Sequence, residues 1–156
     1  MATRSTIALE FADGTVQQVY CHWDGYLDNN GRILQEYYSD PFKLQELIDL
    51  GDISSLRPEI GVAHPFSKFE AKDGEYDEAL YENMTTFYGR DRGETGTNAR
   101  RFKDFEDYKA NHQYEEYEYI LRKDGYWYVC QYDKGYELLS EALAAEAIEQ
   151  LIAEDA

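Results

Sequence analysis

The stretch EEYEYILRKDGYWYVCQY, residues 115–132, decides the fold. Two runs rich in aromatic and aliphatic residues, 115–122 and 126–132, flank Asp124-Gly125, which is the signature of a β-hairpin. A two-residue type I′ turn at that dipeptide predicts Leu121 opposite Tyr128, Tyr119 opposite Cys130 and Tyr117 opposite Tyr132 on one face. The other face then carries Ile120 against Val129 and Glu118 against Gln131, with Trp127 beside Arg122. Both faces hold large residues, so one is expected to pack on helices and the other to be partly covered or to bind something.

Working outward, the same pattern opens the chain. Residues 6–11 and 15–23 flank Asp13-Gly14, and the same turn pairs Phe11 with Val16, Ile7 with Tyr20 and Ala8 with Val19. Gln18 interrupts an otherwise apolar face. Residues 25–31 read as a loop. Ile33, Leu34, Tyr37 and Tyr38 recur at helical spacing, and Asp40 caps a second helix with Pro41 in its first turn. Phe42, Leu44, Leu47, Ile48 and Leu50 form that helix's stripe, and Gly51 ends it. Residues 52–83, broken by Pro58 and Pro65 and loaded with Glu70, Asp73, Glu75, Asp77, Glu78 and Glu82, predict a long irregular acidic connection with a short helix near 76–81. Residues 84–88 predict a central strand. After a glycine-rich stretch at 89–97, Phe102, Phe105 and Tyr108 predict a short helix. An amphipathic helix over 138–153 presents Leu139, Leu143, Ala147, Ile148, Leu151 and Ile152 as one broad apolar arc. The expected architecture is a single α+β domain, residues 1–156: an antiparallel sheet of two hairpins plus a central strand, packed by short helices and the C-terminal helix.

At 156 residues, with 43% hydrophobic and 30% charged side chains, the chain can fold without disulfides or metal. Cys21 and Cys130 belong to no CxxC pair and read as free core thiols of a reducing compartment. No apolar run approaches the ~18 residues of a membrane span, and the first residues carry no signal-peptide core, so a cytoplasmic protein is expected.

Charge carries the functional information. Thirty-two Asp and Glu against 15 Lys and Arg leave −17, far beyond the ~2–8 that solubility asks of a small domain. That sign disfavours direct contact with nucleic acid or an anionic membrane and favours a basic protein surface. Residues 104–156 hold fourteen acids against Lys109, Arg122, Lys123 and Lys134. Glu116 and Glu118, two apart on a strand, stand about 6–7 Å from each other, close to the phosphate pitch of a nucleic-acid strand. Glu115, Glu116, Glu118, Glu146 and Glu149 are therefore the candidate phosphate surrogates. The chain's 15 tyrosines offer rigid anchors, of which Tyr114 and Tyr136 are the candidates beside those acids. Arg90, Arg92, Arg100, Arg101 and Lys103 form a basic island expected to neutralise the protein's own acids. It could also contact nucleic acid held by a partner, or another subunit.

Chemical motifs are sparse. Cys21-His22-Trp23-Asp24-Gly25 places a thiol, an imidazole and a carboxylate together, but strand alternation turns Cys21 and His22 to opposite faces. His22, His64 and His112 lie far apart, with neither HxH nor HExxH spacing, and no phosphate-binding glycine loop occurs. No metal, cofactor or catalytic set is expected.

The segments TRSTIA (3–8), ADGT (12–15) and CHWDGY (21–26) resemble a group of small acidic bacteriophage and prophage accessory proteins. The resemblance covers the first third of the chain and implies a phage protein acting in the host bacterial cytoplasm. By analogy with anti-CRISPR and anti-restriction proteins, it implies an inhibitor that binds the basic surface of a bacterial defence protein, some such inhibitors imitating DNA. Two alternatives stand beside it: a small enzyme or ligand-binding protein with a cleft near His22 and Asp24, and a structural or regulatory homodimer assembled through 138–153.

Overall fold

The computed structural model describes residues 2–71 and 76–155. Both Asp-Gly dipeptides turn the chain, but each loop holds one residue more than a type I′ turn. In the first, Phe11 N–H donates to the Thr15 carbonyl at 2.8 Å and Gly14 N–H to the Phe11 carbonyl at 2.9 Å. In the second, Arg122 N–H donates to Tyr126 O at 3.1 Å and Gly125 N–H to Arg122 O at 2.9 Å. Gly14 and Gly125 sit at φ 91° and 88°, the left-handed position that closes a type I turn with a bulge. Asp13 and Asp124 favour this form because each carboxylate accepts the amide two residues on, Thr15 and Tyr126, at 3.0 Å.

The longer loop moves each register by one residue from the expected pairing. Strand β1 (Ser5–Glu10) pairs with β2 (Val16–Cys21) so that Ile7 faces Val19 and Ala8 faces Gln18. Strand β6 (Tyr117–Leu121) pairs with β7 (Trp127–Gln131) so that Leu121 faces Trp127, Tyr119 faces Val129 and Glu118 faces Cys130.

The α+β class holds, and the sheet is mixed. The two hairpins join through a parallel pairing of β1 with β6, Ile7 beside Tyr119. Beyond β2 lie β3 (Ile53–Ser55) and β4 (Thr86–Phe87), and beyond β7 lies β8 (Tyr136–Leu138), giving the order β4-β3-β2-β1-β6-β7-β8. β5 (Arg100–Phe102) pairs antiparallel with Val16–Gln18 of β2, whereas β3 takes Cys21 at the other end of the same edge. The strand expected at 84–88 is therefore β4, at the rim and not the centre, because the hairpins pair directly with each other.

Helices cover both faces. On one, α1 (Arg32–Tyr37), α2 (Pro41–Asp49) and the first turns of α6 (Leu139–Asp155) bury Ile7, Leu9, Val19, Tyr119, Leu121, Trp127 and Val129. Asp40 caps α2 by accepting the Phe42 amide at 3.0 Å, as its position foretells. On the other face α5 (Phe105–Asn111) covers Ala8, Val16 and Ile120 with Tyr108, while Phe102 belongs to β5 and not to this helix. The expected loop at 25–31 contains a π-helix, Leu27–Gly31, whose buried Asn30 donates to Ser5 Oγ at 3.1 Å and contacts Cys21 Sγ at 3.4 Å. Cys21 and Cys130 are buried free thiols. The acidic connection is more ordered than expected: β3 opens it, Glu59 bridges to Met84, and α3 (Glu78–Tyr81) supplies the short helix. Asp73 and Glu75 lie outside the described residues. A short helix α4 (Tyr88–Arg92) follows β4.

Gly51 and Gly125 separate two costs of a side chain. Both have positive φ, but a Cβ on Gly125 meets open space, whereas one on Gly51 collides with the Thr97 carbonyl. Gly125→Ala is expected to lose about 1–2 kcal/mol, the left-handed strain alone, and Gly51→Ala distinctly more. Urea denaturation of the two variants checks the order.

Candidate functional site

On the α5 side of the sheet, the registers align one row across five strands: Tyr20, Thr6, Glu118, Cys130 and Tyr136 are successive cross-strand neighbours. A polar row under a helix needs partners inside the protein. α5 supplies them. His112, just beyond its last turn, places Nε2 2.8 Å from Glu118 Oε1, both side chains being almost wholly buried. The approach is oblique, an ion pair more than an aligned hydrogen bond. Tyr136 OH donates to Glu118 Oε1 at 3.1 Å and lies 3.2 Å from Tyr108 OH. His112 Nδ1 donates to the Tyr108 carbonyl at 2.6 Å, which fixes the proton on that nitrogen. The Nε2–carboxylate contact therefore requires a second proton between the two groups. Glu118 Oε2, Thr6 Oγ1 and Glu115 Oε2 are buried without a hydrogen-bond partner among the described residues.

Burial alone would push the His112 pKa down, but the Glu118 contact and charge and the Tyr108 carbonyl outweigh it and hold the pKa above the ordinary value. Burial, then the neighbouring Tyr108 and Glu118, drives the Tyr136 phenol far up, so it stays a neutral donor. The cluster is a closed, proton-holding clamp of α5 on the sheet.

This clamp corrects two expectations. Glu118 is 1% exposed and cannot act as a surface phosphate surrogate, because α5 covers its face and His112 takes its charge. Tyr136 is half-buried in the same cluster and is not a free anchor. The expected row of Glu116 and Glu118 is thus broken. Glu116 precedes β6 and lines a shallow cavity of about 300 Å³ with Ala2, Thr3 and Arg4. Glu115 is half-buried, and burial raises its pKa against the pull of Arg4. Tyr114 is exposed, its ring centroid 4.4 Å from that of His112.

On α6, Glu146 is half-buried near Asp28 and Arg32, and Glu149 is exposed. Leu139 and Ala142 enter the core, Leu143 packs at its edge, and every described residue from Ala147 to Glu154 is exposed. The expected single apolar arc is split. At about 100° per residue, Ile148, Leu151 and Ile152 point away from the face that docks Leu139. Their exposures are 57, 61 and 65%.

The basic island divides as well. Arg90 binds Asp91 and the carbonyls of Ile60, Gly61 and Thr85. Arg92 pairs with Glu70 and Glu94, and Arg100 with Asp52. Arg101 and Lys103 are exposed beside a polar cavity of about 440 Å³ with Asp13, Thr15 and Gln17. Near the N-terminal hairpin, Cys21 turns inward to Asn30 while His22 turns outward, its Nδ1 2.6 Å from Tyr20 OH. The backbone of Asp24 takes φ 57° and its carbonyl accepts Asn30 N–H. The largely apolar cavity where both hairpin loops meet the start of α2, about 320 Å³, is lined by neither His22 nor Asp24. No group of three metal-ligating side chains occurs among the described residues, and none of their helices is long and apolar enough to cross a membrane.

Sequence reading missed His112 and Tyr108 as a unit. Their i, i+4 spacing was the available signal, since it sets both on one side of a helix. No protein-family model matches the chain, no curated protein matches its sequence, and no solved structure matches its fold.

The clamp has a pH signature. His112 titrates higher folded than unfolded, so its stabilisation is full below an unfolded pKa of about 6.5 and fades as pH rises through the folded value. His112→Ala, which strands a buried carboxylate, is expected to cost about 3–5 kcal/mol. Glu118→Gln should cost less and flatten the pH dependence. Denaturant melts between about pH 5.5 and 8.5 measure both.

Proposed function

We propose that this chain is an acidic binding protein that occupies the basic, nucleic-acid-binding surface of another protein. The phage-protein resemblance extends the proposal to an inhibitor acting in the host bacterial cytoplasm on a defence protein, a CRISPR effector or a restriction system. One observation carries the reading: most acids of the last third reach solvent, while one of its four bases, Arg122, is spent on a buried carboxylate. Asp104, Glu106, Asp124, Asp133, Glu137, Glu141, Glu149 and Glu154 are exposed. Arg122, by contrast, is paired with buried Glu10, its Nε 3.0 Å from the carboxylate. The field left at this surface repels phosphate and speeds encounter with a cationic groove. Exposed Tyr114, Tyr126 and Tyr132 add contact area among the acids.

Immobilised protein should capture a bacterial partner that duplex DNA or raised salt displaces. Charge reversal at exposed or half-exposed positions, Glu116→Lys with Glu137→Lys and Glu149→Lys, should weaken capture by about tenfold or more. Capture indifferent to salt, to DNA and to these reversals would sink the proposal.

A further inference from the structure

We infer that the outer face of α6 is an anchoring ridge that seats in an apolar groove rimmed by lysine and arginine on the partner protein; this rests on the reading of the chain as an acidic binder. The ridge is Ile148, Leu151 and Ile152, each more than half exposed. Helical geometry places these three within about 100° of one another. They lie on the side of α6 opposite Leu139 and Ala142, which enter the core.

The helix itself asks for a partner. Its first turns pack on β7, β8, α1 and the π-helix, but from Ala147 onward every described side chain is exposed. The last two turns are therefore held only by propagation from the docked part. A free helical segment this short is marginal in water, and its three large aliphatic groups gain nothing from standing there. Such a pattern of i, i+3 and i+4 anchors is how a helix enters a groove.

Charge selects the occupant. Residues 139–155 contain no Lys or Arg, and the last turn has no base to offset the negative end of the helix dipole. Exposed Glu149 and Glu154 lie on opposite flanks of the ridge, each at a helical angle about 60° outside its edge. A second copy would bring the same carboxylates face to face. A groove with cationic rims would instead pair with both flanks and with the helix end while covering the aliphatic centre. The ridge supplies an apolar contact that survives salt, and the flanking acids supply orientation.

The test uses the full chain and an amphipathic Leu/Lys helical peptide as the probe, with a Ser/Lys peptide of equal charge as control. The Leu/Lys peptide should bind saturably and shift amide resonances of 144–153, and the Ser/Lys peptide should not. Ile148→Ser/Leu151→Ser/Ile152→Ser should weaken binding by about tenfold or more with an unchanged melting temperature, since the three side chains are exposed. Glu149→Gln/Glu154→Gln should weaken it less and reduce its salt dependence. Equal binding by wild type and the triple variant, or shifts confined to other acidic surfaces, would overturn the inference. So would a wild-type dimer in sedimentation velocity that the triple variant converts to monomer, because a second copy would then own the ridge. Partner capture that persists in the triple variant removes this inference and leaves the acidic-surface proposal standing. Capture indifferent to salt, to DNA and to Glu116→Lys, with ridge-dependent peptide binding intact, does the reverse.

Discussion

The parallel pairing of β1 with β6 is the constraint on which the rest depends. It joins Ser5 to Tyr117 across most of the chain and turns two separate hairpins into one sheet. All six residues of β1 are buried as a result. A strand enclosed on both edges and both faces needs helices above and below, and the chain between the hairpins supplies them. Contacts of this sequence separation form late and slowly, after the local turns at Asp13-Gly14 and Asp124-Gly125.

Enclosing β1 and β6 also determines where charge can go. Two carboxylates on these strands, Glu10 and Glu118, fall on the α5 face and are buried. Each has a basic partner: Glu10 pairs with Arg122, whose guanidinium lies 3.6 Å over the Phe105 ring, and Glu118 with His112. Burying such pairs gains little stability over apolar packing, but breaking one leaves an uncompensated charge. The Glu10 pair also commits the half-buried Arg122 to a buried acid and leaves the exposed acids less opposed.

Much of the architecture was legible because local chemistry and tertiary structure agree. The Asp-Gly turns, the Asp40 cap with Pro41, and the apolar stripes of α2 and early α6 all carry short-range signals. The registers were missed by one residue because the aspartate side chains select a three-residue loop. β3, β5 and β8 were missed because strands of three residues carry no alternation long enough to recognise. Among the candidate acids Glu149 is exposed and Glu116 partly so, whereas Glu118 is buried because a helix docks on it from a distant segment. The split of α6 was likewise invisible: Leu139 and Ile148 look like one stripe until the point where the helix leaves the body is known.

The sheet carries the His112–Glu118 clamp on one face and α6 on the other, with the aliphatic ridge of α6 uncovered. In the proposed complex, burial of three such side chains would be worth up to about 1.5–3 kcal/mol each, an apolar anchor beside the charge that would orient it. Hydrogen–deuterium exchange on the protein, free and in its captured complex, tests this most directly. The account predicts fast exchange of the 147–154 amides in the free protein and strong protection in the complex, with Leu139 to Leu143 protected in both. Unchanged exchange at 147–154, with protection appearing instead at 100–103 or around His22, would contradict it.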